Sequence, residues 1–372
     1  MVLPEGVKAV WDVTKAYRES TPTRERICIN GLWRWQPAGQ AADAVPTDGW
    51  GYLRVPEPWP GGGGRGGGSQ AFFRNPGWAE DALGSVTAAW YQREITVPQE
   101  WAGRSIMLQA GYLYSFAQVY LDGRKLGEMR YPWGDVDLTS ACRPGQTHTL
   151  SMLVVAMPLK GVMLSYSDSN AAKEMRGSVA RRGLCGDVYL LGTPTGPRVA
   201  DVKVETSVRR WQITLDTALD GLAPEAQYAL RAQIKDGDRL VEEFTTKPFK
   251  GSEPSNGRIA VTEHWRPDKL WDTITPQNQY DVSVSLLDTG GKVLDTALPV
   301  RFGFREFWID GRDFYLNGTR IYLFAVPVDN GQMSPTMASY DATKATLQRF
   351  KSFGTNFVYT HNYGCEPGAH LG

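Results

Sequence analysis

Residues Phe302–Phe324 read FGFREFWIDGRDFYLNGTRIYLF, and the chain changes character across them. Upstream, apolar residues recur with a period of two. Downstream, a helical stretch lies between two apolar runs. Asn317-Gly318 separates Asp313–Leu316 from Arg320–Phe324, both rich in aromatic and branched residues. Asn-Gly supplies the two positive-φ residues of a type I′ turn, so this segment is expected to form a hairpin. Tyr322–Phe324 continue the apolar run, the pattern of a strand buried on both faces. Asp341 is placed to cap a helix with Thr343, Leu347 and Phe350 on its buried face and Gly354 as its stop. Asn356–Thr360 reads as a second buried strand. Strand, helix, strand in this order predicts a βαβ unit, the repeat of a parallel sheet or a (β/α)8 barrel. One unit does not close a barrel, so the expectation is of a barrel cut short at Gly372.

Working outward, the 372 residues suggest two to three domains. Hydrophobic content is 42% and charged content 22%, the composition of a globular protein. Forty basic residues balance 40 acidic ones, which leaves no electrostatic footprint for nucleic acid or a membrane surface. No apolar run approaches the ~18 residues of a transmembrane helix. The start, MVLPEGVKAVWDVTK, has no apolar leader. The default expectation is therefore a cytoplasmic protein, or a secreted or periplasmic one if the N-terminus is incomplete. Cys28, Cys142, Cys185 and Cys365 share no CxxC spacing, so they are expected to be reduced, buried thiols. The 13 Trp and 16 Tyr are expected mostly in sandwich cores, with some Trp rings free to stack on sugars.

Before the junction the sequence is strands throughout. Trp33 and Trp35 alternate after an Asn30-Gly31 turn signal. Gly49–Pro60 carries three prolines, the mark of an extended edge or loop. Gly61–Ser69 is nearly all glycine but lacks the Gly-Lys-Ser/Thr of a phosphate loop, so it reads as a surface loop. From Trp90 to Leu191 short strands follow closely, with Asp122-Gly123 as a hairpin turn; this pattern predicts a jelly-roll sandwich. After Thr193–Pro197, three segments alternate strictly: Trp211–Leu219, Tyr228–Ile234 and Tyr280–Leu286. These predict a second sandwich of immunoglobulin type. The predicted organisation is thus mainly β: residues 1–195 a jelly roll, 196–303 an immunoglobulin-like sandwich, and 304–372 the start of a barrel.

Candidate chemistry gathers at the far end. In α/β barrels, functional groups collect at the C-terminal ends of strands. His361, Asn362 and Tyr363 follow one apolar strand, and Asp329-Asn330 follow the other. Glu306, Asp310 and Asp313 surround the hairpin and read as solvated turn residues. His361, Cys365 and His370 lack an accepted zinc spacing, so no metal is expected.

The order of domains resembles glycoside hydrolase family 2, the β-galactosidase-, β-glucuronidase- and β-mannosidase-like enzymes. The likeness is carried by Trp90–Pro98 (WYQREITVP), Gly183–Leu190 (GLCGDVYL), Phe302–Phe324 and Thr355–Tyr363 (TNFVYTHNY). It implies a retaining exo-β-glycosidase that hydrolyses terminal β-linked galactosides, glucuronides or mannosides without a cofactor. In that family the acid/base Glu follows an Asn on a middle barrel strand and the nucleophile Glu lies later. This chain has no Asn-Glu dipeptide, so the resemblance places both catalytic residues beyond Gly372 and an inactive fragment is expected. The family's substrate His in Ser-His-Tyr is matched by Thr-His-Asn-Tyr, at Asn362 without a gap or at His361 with a one-residue shift. Asp329 stands where the family often has His, and Gly177 near where many members have a substrate-contacting Asp. The implied substrate-binding residues are Asp329, His361, Asn362 and Tyr363, and the implied partner is carbohydrate; a homo-oligomer is compatible with this reading. Two alternatives stand beside it: a carbohydrate-binding sandwich module without catalysis, and a structural or adhesive β protein, which has no use for a βαβ unit.

Overall fold

The computed structural model describes residues 3–39, 44–60, 72–80, 83–157, 159–164, 172–177, 182–327 and 340–359. The chain is mainly β and builds two sandwiches followed by a hairpin and a parallel strand pair.

The first sandwich faces a five-stranded sheet against a seven-stranded one. The smaller sheet runs Arg18–Ser20, Glu25–Cys28, Val188–Pro194, Arg104–Gly111, Trp133–Asp137. The larger has Ala88–Thr96 near its centre, flanked by Thr147–Val155 and Gly31–Pro37. Period-two alternation explains the core: Ile106, Leu108 and Ala110 point inward from one sheet, and Leu150, Met152 and Val154 from the other. Eight of the tryptophans are buried, Trp33, Trp35 and Trp101 completely, so most serve the core. Trp133, 61% exposed, is the exposed exception.

Two local expectations are refined here. Asn30-Gly31, read as a turn, is the corner where the chain leaves Glu25–Cys28 in one sheet and enters Gly31–Pro37 in the other. Its geometry comes from Asn30, whose Oδ1 accepts the Val188 N–H at 2.9 Å. Gly49–Pro60 contains a true strand, Gly51–Val55, paired on both sides, and Pro56, Pro58 and Pro60 all fall after it. Proline removes a ladder donor only where it stands, so the strand ends before the first of them.

The second sandwich follows the predicted alternation. Ile213, Leu215 and Leu219 from one sheet meet Leu230, Ile234, Val282 and Leu286 from the other. The two sandwiches are joined by a buried ion pair. Arg24 Nε donates to Asp295 Oδ1 at 3.1 Å, and its Nη2 contacts Asp295 Oδ2 and donates to the Val199 carbonyl at 2.7 Å. Asp295 also accepts from Thr23 Oγ1 at 2.9 Å and from the Val199 N–H at 2.8 Å.

The junction hairpin forms as its turn residues demand. Asn317 (φ 51°) and Gly318 (φ 90°) sit between the paired Leu316 and Thr319. Gly303 lies so close to Trp271 that a Cβ would come within 2.4 Å of it. Glu306, expected to be solvated, is instead held by the second sandwich. It accepts from Ser207 Oγ at 3.0 Å, the Arg209 N–H at 2.8 Å and Arg209 Nε at 2.7 Å. Arg209 in turn covers the Trp308 ring at 4.6 Å, and Trp308 stacks on Tyr315. The hairpin is thereby fastened to the sandwich before it.

The apolar run beyond the hairpin divides differently from expectation. Thr319–Ile321 completes the hairpin, and a separate strand, Ala325–Pro327, pairs in parallel with Phe357–Tyr359. Tyr322 (82% exposed) and Phe324 (51%) lie between the strands, and Phe357–Tyr359 is itself exposed. The strands expected to be buried on both faces are therefore uncovered among the described residues, because no further layer packs on them. The helix spans Tyr340–Ser352, which puts Asp341 in its first turn rather than before it. Thr343 is buried, whereas Leu347 and Phe350 are half-buried. Gly354 stops the helix as expected, at φ +82°, with the Thr355 N–H closing back on the Phe350 carbonyl at 3.2 Å.

Two outcomes are expected. Asp295→Ala leaves Arg24 buried and unpaired and should lower the stability of the chain by about 3–5 kcal/mol, whereas replacing both residues by apolar ones of similar volume should cost far less; urea unfolding of the three variants checks this. The Glu306 carboxyl is pushed up by burial, but hydrogen bonds from Arg209 and Ser207 and the Arg209 charge outweigh that and hold it below its ordinary value. A depressed value in the folded state means the stabilisation is present above the ordinary glutamate range and is lost as pH falls through the folded value. Acid titration followed by Trp308 fluorescence should show this release, and Arg209→Ala should move it to higher pH.

Candidate functional site

The parallel pair defines the site end. Its register is Ala325↔Phe357, Val326↔Val358 and Pro327↔Tyr359, so both strands finish side by side at Pro327 and Tyr359. Asp329, His361, Asn362 and Tyr363, the residues singled out from sequence, come just after these ends and lie outside the described residues; so do Asn330, Cys365 and His370. Gly177 lies at the end of the strand Ala172–Gly177. The opposite end of the pair is pinned by Asn356, whose Oδ1 accepts the Phe324 N–H at 2.8 Å and whose Nδ2 donates to the Tyr322 carbonyl at 2.8 Å.

At the site end, the start of the helix meets the outer face of the five-stranded sheet, and a cleft of about 770 Å³ opens between them. Tyr17, Arg26, Arg54, Asp187, Tyr189 and Tyr340 are among its lining residues. Its polar groups are organised. Tyr17 Oη donates to Glu19 at 3.0 Å, and Arg26 Nε donates to the same carboxylate at 2.6 Å. The Arg26 guanidinium lies 4.7 Å above the Tyr189 ring. Asp187 is buried, accepting from Asn30 Nδ2 at 2.7 Å and from the backbone N–H of Tyr340 at 3.2 Å.

Burial, reinforced by the charge of Asp187, pushes the Tyr189 hydroxyl well above its ordinary value. Burial and the neighbouring Glu19 raise Tyr17. Burial also raises the Cys28 thiol, and it carries Cys142, elsewhere in the sandwich, up to about 12. Thiolates and phenolates are thus disfavoured, and Glu19 and Asp187 are engaged by donors. The described part of the cleft is suited to recognition by hydrogen bonding and ring contact, not to nucleophilic or acid–base chemistry. Cys28 and Cys142 are free thiols. Among the described residues no group of three His, Cys, Asp or Glu could hold a metal, and no helix is long and apolar enough to cross a membrane.

Sequence reasoning passed over this cleft. Gly186–Leu191 reads simply as a closing strand, and Asn30-Gly31 as a turn. The available signal was Asp187 itself, an acid set directly against an apolar strand, where a buried carboxylate needs named donors.

Comparison with known proteins agrees with this architecture. Residues 198–305 match the family model described as glycosyl hydrolases family 2. A β-glucuronidase of Bacteroides fragilis is 23% identical over 257 residues, covering 63% of this chain and 34% of the relative. Among solved structures, the β-glucuronidase of Bifidobacterium dentium complexed with coumarin-3-O-glucuronide superposes with a TM-score of 0.66 at 20% identity, over 91% of this chain and 57% of that one. The Ruminococcus gnavus β-glucuronidase in complex with D-glucuronic acid gives 0.65 at 16% identity, over 92% and 57%. The chain therefore spans about a third of the curated relative and little more than half of the solved chains. The match to the glycosyl hydrolases family 2 model thus falls on the second of the two sandwiches, and what the chain shares with the solved β-glucuronidases is the fold.

Proposed function

We propose that this chain is the N-terminal portion of a retaining exo-β-glycosidase acting on terminal β-linked sugars. In this reading, residues 1–195 form a jelly-roll domain of the sugar-binding type, 196–303 an immunoglobulin-like spacer and 304–372 the first βαβ unit of a catalytic barrel. The observation that carries it is the parallel pairing of Ala325–Pro327 with Phe357–Tyr359, with the helix Tyr340–Ser352 between them in sequence, after the two sandwiches and the hairpin. Parallel neighbours joined by a right-handed crossover end on the same side, so groups just beyond Pro327 and Tyr359 converge. Asp329, His361, Asn362 and Tyr363 are proposed to line the sugar site there, Asp329 accepting from hydroxyls and Asn362 both donating and accepting. The relatives are named β-glucuronidases, which supports β-glucuronides as the first substrates to test, ahead of galactosides and mannosides.

A retaining mechanism needs an acid/base carboxyl and a nucleophilic carboxylate about 5–5.5 Å apart. No such pair is assigned in this chain, so the catalytic glutamates are proposed to lie outside it. The exposed Trp133 ring favours a second reading, a module that holds carbohydrate without cleaving it. Binding of a saccharide by the module without turnover in any form of the protein would select that reading.

The purified 372-residue chain should show no turnover above buffer on aryl β-glucuronide, β-galactoside or β-mannoside; reproducible turnover would overturn the placement of the catalytic pair. In a form of the protein that does hydrolyse an aryl β-glycoside, the residue of His361 and Asn362 that meets the sugar should lower kcat/KM about ten- to hundredfold on substitution by Ala, the size of a desolvated polar contact. Unchanged values in both variants would refute the pocket assignment.

A further inference from the structure

The geometry points to Asp187 as a positioning residue that anchors the start of the βαβ helix and so sets the site end of the strand pair. This inference rests on the glycosidase reading for its functional meaning, but the contact itself can be tested without substrate. Asp187 stands at the entry to the strand Val188–Pro194 of the first sandwich, 153 residues from its partner in the helix. Its Oδ2 accepts the backbone N–H of Tyr340, the first residue of the helix, at 3.2 Å. The first N–H groups of a helix have no partner within it, and the helix dipole is positive there, so a carboxylate at that place is favoured both as an acceptor and as a charge.

The carboxylate is itself held from behind. Asn30 Nδ2 donates to Asp187 Oδ1 at 2.7 Å, while Asn30 Oδ1 accepts the Val188 N–H at 2.9 Å. One asparagine thus fixes both the backbone that carries Asp187 and the Oδ1 of its carboxylate. Asp187 is only 8% exposed, so its oxygens are aimed by the fold and not by solvent.

The place of this contact matters more than its strength. The strand Ala325–Pro327 ends at Pro327, and the next described residue, Tyr340, begins the helix. The strand Phe357–Tyr359 runs parallel and ends beside Pro327. The start of the helix and the ends of both strands are therefore on one side of the unit. Asp187 holds that side, where the proposed sugar-binding residues follow, whereas Asn356 pins the other side from within the unit. The first sandwich is in this view a platform that sets the position of the site, in addition to any contact it makes with sugar.

Backbone chemistry supplies a clean test. Proline is well tolerated at the first helical position and lacks an N–H. Tyr340→Pro therefore deletes the donor and leaves the helix able to form, while Tyr340→Ala removes the ring and keeps the donor. Hydrogen exchange of the 372-residue chain is followed at the amides of Lys344–Phe350, which bond within the helix. Asp187→Ala and Tyr340→Pro should each speed exchange there about tenfold, and the double variant should be no faster than either alone. Tyr340→Ala should stay within about twofold of the parent chain, and Asp187→Asn, which keeps an acceptor but loses the charge, should fall between. Exchange within Ala88–Thr96 and Thr147–Val155 reports whether the first sandwich remains intact. If Asp187→Ala disturbs that sandwich through Asn30, the comparison of Tyr340→Pro with Tyr340→Ala still decides, since both leave Asp187 and Asn30 in place. Equal exchange in those two variants, or a double variant faster by the product of the single effects, would overturn the inference. Turnover assays test the glycosidase reading separately, so either can fail while the other stands.

Discussion

The buried pair of Arg24 and Asp295 is the constraint on which the relative placement of the two sandwiches depends. Arg24 lies at the entry to a strand of the first sandwich and Asp295 within a strand of the second. Taking two charges out of water is costly, and the attraction between them offsets that cost only when the remaining hydrogen-bonding capacity is also met. Here it is. The carboxylate of Asp295 accepts from two nitrogens of Arg24, from Thr23 and from Val199, and Thr21 and Thr23 bond the neighbouring Thr296 backbone. A planar guanidinium fits a carboxylate in one orientation, so the contact specifies an angle as well as an attachment.

Position is handed on along the chain from that joint. Glu306 fastens the hairpin to the second sandwich through Ser207 and Arg209, and Asn317 adds a second tie. The Asn317 side chain accepts the Glu306 N–H at 2.9 Å and donates to the Trp271 carbonyl at 2.8 Å. The strand pair and its helix follow the hairpin, and the helix returns to touch the first sandwich at Asp187. The described contacts thus run from the first sandwich to the second, from the second to the hairpin, and from the helix back to the first.

The cleft itself shows why burial decides chemistry. Its phenols and thiol are raised, chiefly because burial disfavours their charged forms, and its buried carboxylate is occupied by an asparagine and a helix amide. Groups held in this way bind and orient what meets them.

Much of the fold was legible in the sequence because its signals are local. Asn317-Gly318 turns the hairpin because two positive-φ residues are needed side by side, and Gly354 ends the helix for the same steric reason. Strict alternation in Tyr228–Ile234 and Tyr280–Leu286 assigned their buried faces without any knowledge of what they face. The same signals misled where context differed: Tyr322–Phe324 has the composition of a buried strand but meets no layer among the described residues, and Glu306 looks like any exposed acid until Arg209 is folded beside it. Arg24 and Asp295 are separated by 271 residues, and Asp187 and Tyr340 by 153. No periodicity or turn preference encodes such a pairing, because it arises only when packed sheets bring the charges together and exclude the water that would otherwise separate them. The sequence alone determined the elements, their buried faces and their order; the tertiary structure decided which charges are buried, which partners they meet, and how the cleft is held.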